Sequence, residues 1–355
     1  MKIPKSILII KLSAIGDVVH ALPFLDVLRE NFPDARIDWL VEEQAYQIIA
    51  GHSGLDRVIV SLRNSWKNRL LQFKSFMSVI KEVKVFLKEL RSYEYDLVID
   101  LQGLLKSGVL VGLTKGKRKI GMSGAREGGW VFLNERPVPV DYDQHAIDRY
   151  LRVAGYLACD IGSWKGDIPV SDSDKKWVND LLNVSGVKKW PVVAINPMAR
   201  WKTKLWDSES FAALANRITD ELSCKVIFTG SNTDRNVIED ISGKMERRPI
   251  NLAGQTSLKQ LAYLFTRCAA LVTTDTGPMH IAAAMGCRVV SLFGPTAPWR
   301  TGPYGQSHTV IRADLECSPC FKKKCEDMRC MKEITVDRVF EAVKDTVMSE
   351  PMSGL

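Results

Sequence analysis

Short apolar runs recur along the whole chain, each closed by a turn of small or polar residues and most followed by a stretch with helical spacing. Residues 6–11, 36–41, 57–61 and 96–100 in the first half predict strands, as do 192–196, 225–228, 250–253, 269–272 and 287–293 in the second. The runs 6–11 and 269–272 are too apolar to be half-exposed. Between them, 18–29 places Val18, Leu22, Leu25 and Leu28 on one helical face. Residues 71–93 align Phe73, Phe76, Met77, Ile80, Val83, Leu87 and Leu90 opposite Lys74, Lys81, Lys84, Lys88 and Arg91. Helices are also expected over 175–182, 208–222 and 280–285, and from the Thr335 cap to Met348. Strand–helix alternation of this kind predicts an α/β fold of doubly wound sheets. It restarts near residue 192 after a turn-rich passage. The expected division is therefore a domain over 1–175, a second over 190–335 and a terminal helix over 336–355.

The turns carry the chemistry. After 269–272 the chain reads Thr273, Thr274, Asp275, Thr276, Gly277, Pro278, then opens the small-residue helix beginning at His280. A helix that starts at a hydroxyl and a glycine exposes unpaired N–H groups, a seat for phosphate. Gly294, Pro295 and Thr296 make a second such turn. Arg200, Lys202 and Lys204 follow 192–196, three cations suited to a diphosphate at a strand mouth. The loops at 230–234 and 254–258 follow two more strands, and the second is placed to offer backbone groups to a base. In the first half, Asp17 closes the turn after 6–11 at a helix start. Only Gly16 of the three glycines of a dinucleotide fingerprint is present there. Gln102 and Lys106 lie just beyond 96–100. Arg126, His145 and Arg149 complete the polar inventory, with His145 read as structural. Arg63, Lys67 and Arg69 around Trp66 read as a basic loop, and Lys115 to Lys119 as a basic turn that lacks the phosphate-loop pattern.

Charge narrows the partners. The 355 residues carry a formal charge of +8, which favours an acidic substrate or an anionic surface. No zinc finger, ribonucleoprotein signature or aromatic-interleaved basic motif supports nucleic acid. No run approaches a membrane span or a signal peptide, which predicts a cytoplasmic protein, at most peripheral to a membrane. Cys159, Cys224, Cys268 and Cys287 stand in apolar contexts as reduced core residues. Cys317, Cys320, Cys325 and Cys330 have a spacing compatible with tetrahedral zinc, a local disulfide pair or four reduced thiols. Two Asp-x-Asp strings, at 141–143 and 172–174, read as solvated acids and not as a metal box.

The segments 11–20, 38–43, 98–107, 204–206 and 275–280 together resemble the glycosyltransferase family 9 heptosyltransferases over nearly the whole chain. The wording of 38–43, with Arg63, Trp66 and Lys67, is most similar to the first heptosyltransferase of lipopolysaccharide assembly. That resemblance implies a GT-B fold: two Rossmann-like domains facing a cleft, acceptor on the first, nucleotide sugar on the second, and a terminal helix crossing back to the first. It implies an inverting transfer from ADP-L-glycero-β-D-manno-heptose to Kdo–lipid A, with no cofactor or metal required, at the cytoplasmic face of the inner membrane. Residue by residue, it makes Asp17 the base. Lys204, Asp275, Thr276, Gly277 and His280 hold the donor, beside the Arg200 read from the cation cluster, with Asp234 near the ribose and Thr256 where a methionine borders the adenine in relatives. Ser13, Arg63, Lys67, Gln102, Lys106, Arg126 and Arg149 become the acceptor surface for carboxylates and phosphates. The competing expectations are a family 9 enzyme with a later core acceptor or another nucleotide sugar, and a non-catalytic binder of nucleotide sugar or lipid A.

Overall fold

The computed structural model describes residues 3–71, 76–187 and 191–349. The chain divides into two compact units, Met1–Pro169 and Val170–Leu355. The first is built on β1 (Ser6–Ile10), β2 (Arg36–Glu42), β3 (Arg57–Ser61), β4 (Glu94–Asp100) and β5 (Lys115–Gly121), in the order β3-β2-β1-β4-β5. The second is built on β6 (Val192–Asn196), β7 (Lys225–Phe228), β8 (Ile250–Asn251), β9 (Ala270–Thr274), β10 (Val289–Phe293) and β11 (Thr309–Arg312), in the order β11-β10-β9-β6-β7-β8. Every pairing is parallel. In each unit the chain runs outward from its first strand for three strands, then returns to that strand's other side, which is Rossmann order. Parallel strands need crossover helices, and helices on both faces leave β1, β6, β9 and β10 buried along their whole length.

Several local expectations change. Residues 18–29 do not form one helix: Ile15–Val19 is a short first helix and Leu22–Asn31 a second. Pro23, in the first turn of the latter, has no N–H with which to continue the former. Lys115 to Lys119 is not a turn but most of β5, an edge strand with Lys115 and Lys117 exposed and Ile120 and Gly121 buried. Charged edges of this kind resist pairing with another chain. The expected basic loop at 63–69 is a helix, Arg63–Leu71. Trp66 sets its buried side, edge-on to Phe86 at 5.4 Å, with its indole N–H donating to Glu82 at 3.0 Å. Of the expected 71–93 helix, Phe73 and Lys74 lie outside the described residues. The described part is Phe76–Leu90, which buries Val79, Phe86 and Leu90.

The break between units falls at Pro169, earlier than the expected 175–190 passage, whose residues 188–190 lie outside the described part. The reason is the helix Asp172–Val184, which buries Val178 and Leu182, about 1.5–3 kcal/mol each. Its Asn179 amide donates to the Tyr263 hydroxyl at 3.4 Å, on the helix Leu258–Thr266. The terminal helix Val336–Met348 places Val339, Phe340 and Val343 in the second unit's core. Its apolar face is used there, and residues 350–355 lie outside the described part.

Candidate functional site

In a doubly wound sheet the loops at the carboxyl ends of the two strands flanking the order reversal splay apart and leave a crevice. In the first unit those strands are β1 and β4. The loop after β1 is pinned by the loop after β4: the Gln102 side-chain oxygen accepts from Leu12 N–H at 3.1 Å and Ser13 N–H at 3.0 Å. Gln102, expected to meet an acceptor, thus has a scaffolding contact. Asp100 organises the second loop, accepting from the N–H groups of Gln102 (2.8 Å) and Gly103 (3.1 Å) and from the Ser107 hydroxyl (2.8 Å). Burial pushes the Asp100 carboxyl above its ordinary range despite those donors. Gly103 takes a φ of +64°, a conformation that glycine adopts without a Cβ penalty.

Asp17 sits in the first turn of Ile15–Val19, its carboxylate accepting the Ala14 N–H at 3.2 Å. The cap does not bury it, since the side chain keeps 39% of its exposure. Behind it lies Lys11, 4% exposed, with its ammonium 4.0 Å from the Asp17 carboxylate and 3.1 Å from the Leu101 carbonyl it donates to. Burial alone would lower the Lys11 ammonium, but Asp17, Tyr150 and Asp100 outweigh it and raise it above its usual value. A buried, positively charged lysine therefore backs a half-open carboxylate.

Glu42, at the end of β2, was not singled out from the sequence, yet it gathers the cations that were. Only 3% exposed, it pairs with Arg63 at 2.9 Å and Lys106 at 3.2 Å and accepts from Asn64 at 3.3 Å. Lys106 also donates to the Ser13 hydroxyl at 2.8 Å, so Ser13, Arg63 and Lys106 form one cluster beside the β1 turn. A charged residue closing an apolar strand was the available signal. Lys67 is exposed one turn along from Arg63. Arg126 is exposed, its N–H donating to the Gly103 carbonyl at 2.9 Å. Arg149 is buried, with its guanidinium 4.9 Å from the Tyr142 ring centre and, among the described residues, no acceptor for its Nε. His145 caps the helix Ala146–Tyr156 by accepting the Ile147 N–H at 3.2 Å, a structural use.

In the second unit the reversal lies between β6 and β9. Lys204, on the loop after β6, reaches the turn after β9: its ammonium is 2.5 Å from the Asp275 carboxylate and 4.6 Å from the Trp201 ring centre. Asp275, 8% exposed, also accepts the Thr296 hydroxyl at 2.7 Å, so it is the holder of Lys204 and is tied to the 294–296 turn. Thr274 closes the arrangement, donating to the Met198 carbonyl at 3.1 Å. Thr276 is the N-cap of the helix Gly277–Ala284, without a side-chain cap bond of its own, and Pro278 in the first turn has no N–H to satisfy. His280 is buried in that helix, and Arg200 is exposed on the loop after β6.

Asp234 lies elsewhere in its chemistry. Its carboxylate accepts the Ser231 N–H at 2.7 Å and hydroxyl at 2.6 Å, fixing its own loop. That loop meets the one bearing Thr256 through a Gly254 N–H to Gly230 carbonyl bond of 2.9 Å; a Cβ on Gly254 would come within 2.7 Å of the Asn232 backbone. The Asp-x-Asp strings are local turn and cap acids: Asp141 accepts the Asp143 N–H at 2.8 Å, and Asp174 forms a capping box with Ser171. Cys317, Cys320, Cys325 and Cys330 are free thiols, and among the described residues no three potential ligands are grouped to hold a metal ion. Burial, together with Cys320, Cys317 and Cys325, pushes the Cys330 thiol up.

This fold with this content has known counterparts. The Escherichia coli heptosyltransferase WaaC with ADP superposes with a TM-score of 0.77 at 26% identity, covering 96% of this chain and 99% of that one. The fold is GT-B, and the protein is a glycosyltransferase. The profile of glycosyltransferase family 9 (heptosyltransferase) matches residues 83–330. Lipopolysaccharide heptosyltransferase 1 of Pseudomonas aeruginosa is 31% identical over 90% of this chain and 87% of its own. The lipopolysaccharide core heptosyltransferase OpsX of Haemophilus influenzae is 28% identical over 87% and 84%. Lipopolysaccharide heptosyltransferase 3 of Escherichia coli is 29% identical over 80% and 82%. The chain belongs to glycosyltransferase family 9, the heptosyltransferases.

Proposed function

We propose that the protein moves L-glycero-D-manno-heptose from its ADP-activated form to the Kdo–lipid A inner core of lipopolysaccharide, inverting the anomeric centre without a metal. The observation that carries the reading is Asp17, a half-open carboxylate at the first unit's switch point, backed by a buried ammonium. In the reaction the acceptor hydroxyl oxygen attacks the anomeric carbon from the face opposite the diphosphate. The carbon–phosphate oxygen bond breaks, ADP leaves with the bonding pair, and Asp17 takes the hydroxyl proton. Lys204, Arg200 and the N–H groups at the start of Gly277–Ala284 stabilise the charge that develops on the leaving diphosphate. The Arg63, Lys106 and Ser13 cluster, with Lys67, Arg126 and Arg149, suits an acceptor carrying carboxylates and phosphates.

Support for the donor is chemical and comparative: the anion-holding turns of the second unit, and a WaaC relative solved with ADP. Support for the first heptose position is the heptosyltransferase 1 relative at 31% identity. A later core acceptor is the second reading, favoured by the 29% identity to heptosyltransferase 3. Among the described residues no helix is long and apolar enough to cross a membrane. A basic protein acting on a lipid-anchored acceptor is expected to work peripherally, at the cytoplasmic face of the inner membrane. The test is mass analysis of products after incubation with ADP-heptose and EDTA, using Kdo–lipid A and a monoheptosylated acceptor in parallel. One heptose added to Kdo–lipid A alone supports the proposal. Addition to the heptosylated acceptor alone moves the enzyme to the later step, and transfer only from a UDP-sugar removes the donor assignment.

A further inference from the structure

We propose that the cysteine-bearing loop 317–330 is part of the donor site, and that Lys323 supplies a further cation to it beside Lys204 and Arg200. The inference rests on the second unit's reading as the diphosphate holder. Lys204 alone is a poor neutraliser of a diphosphate, because Asp275 stands 2.5 Å away and offsets its charge. Arg200, exposed on the same loop, adds charge, and a cation beside Lys204 itself would restore what Asp275 offsets. Lys323 is exposed, has no ion-pair partner among the described residues, and holds its ammonium 5.2 Å from the centre of the Trp201 ring. Lys204 meets the same ring at 4.6 Å, so Trp201 gathers both ammonium groups at one place.

The loop is seated there by contacts far apart in sequence. The Thr203 hydroxyl, on a residue 2% exposed, donates to the Lys322 carbonyl at 2.9 Å. Ser318 donates its hydroxyl to the Gly294 carbonyl at 2.6 Å, and the Phe321 N–H donates to the Pro295 carbonyl at 2.7 Å. The loop therefore docks on the 202–204 turn and the 294–296 turn, the two that position Lys204 and Asp275. Gly294 makes the fit possible: a Cβ there would fall 2.5 Å from the Met331 sulfur and 3.0 Å from that of Cys330. Of the three consecutive lysines, only Lys323 reaches Trp201. Lys322 contributes its carbonyl, and Lys324 is exposed.

The experiment is calorimetry of ADP and AMP binding to the full chain and to Lys323→Ala, Lys323→Arg and Lys324→Ala, at two salt concentrations, with thermal midpoints as a folding check. Lys323→Ala is expected to weaken ADP about tenfold and AMP much less, and to flatten the salt dependence. Lys323→Arg should restore most of the ADP affinity, and Lys324→Ala should stay close to wild type. Equal ADP affinity of Lys323→Ala and wild type, or equal losses in Lys323→Ala and Lys324→Ala, overturns the role of Lys323 and leaves the donor reading standing. A wild-type protein that binds neither nucleotide overturns both.

Discussion

The switch-point loops of the two units are mirror images in charge. In the first, a buried cation, Lys11, backs a carboxylate that is 39% exposed. In the second, a buried carboxylate, Asp275, backs a cation, Lys204, that is 15% exposed. The scaffold is the same in both cases: a parallel sheet reverses its order, and a residue from one loop is braced by a residue of opposite sign. Which member of the pair faces out decides the job. An outward carboxylate is equipped to take a proton, and an outward ammonium is equipped to hold an anion. The buried partner orients each outward group, at a desolvation cost that the pair and its hydrogen bonds offset. The two braces differ in tightness, 4.0 Å against 2.5 Å. The looser one leaves the carboxylate an open flank; the tighter one lowers the net charge that the second unit offers, which is why further cations matter there.

The contrast can be broken most severely at Asp17. Asp17→Asn keeps the Ala14 cap geometry but has no base, and kcat is expected to fall by about 10² to 10⁴, the usual span for loss of general base catalysis. Near-normal turnover would give the proton to another group. A smaller effect is expected at Glu42. Glu42→Gln leaves Arg63 and Lys106 without their buried counter-charge, and the acceptor KM should rise while the donor KM stays fixed, with a stability loss of about 1–3 kcal/mol. A rise in donor KM instead would detach the cluster from the acceptor. The mildest effect is on stability at alkaline pH. Burial raises the Cys159 thiol from 9.0 to about 11 and the Cys287 thiol from 9.0 to about 12. Folding therefore favours the protonated thiols, so their contribution is intact below pH 9 and lost as pH climbs toward 12. Lys11, also raised, acts in the same direction. Thermal midpoints should fall across that window, and a midpoint flat to pH 12 would contradict the buried, reduced state of these cysteines.

How much was legible follows from what each residue has to do. Strands covered on both faces announce themselves as apolar runs, so β1, β6, β9 and β10 could be read directly. β5 could not, because an edge strand needs only one buried end and carries lysines for the rest. The helix Arg63–Leu71 was hidden by its charge: Trp66 is the only side chain it buries. Asp17, Lys204 and Asp275 were visible as polar residues in turns after apolar strands. Their braces were not all visible: Lys11 stands in the loop that leads to Asp17, but Thr296 reaches Asp275 only because β9 and β10 pair side by side, and Lys204 meets Asp275 across the sheet reversal. Gln102 shows the converse. Its place beside a strand end looked like ligand chemistry, and its oxygen instead ties two backbone N–H groups. The cysteine spacing left zinc, a disulfide pair and reduced thiols open, and said nothing of the packing of that loop, which brings its lysine to Trp201.

The central claim is a division of labour, with proton transfer in the first unit and the diphosphate held in the second. ADP calorimetry on Asp17→Asn and Lys204→Met, beside the wild type, tests it most directly. Asp17→Asn should bind ADP within about twofold of wild type while its turnover collapses, and Lys204→Met should lose about 1.5–3 kcal/mol of ADP affinity, a charge-assisted contact's worth. Unchanged ADP affinity in Lys204→Met, or a comparable loss in Asp17→Asn, would contradict the division.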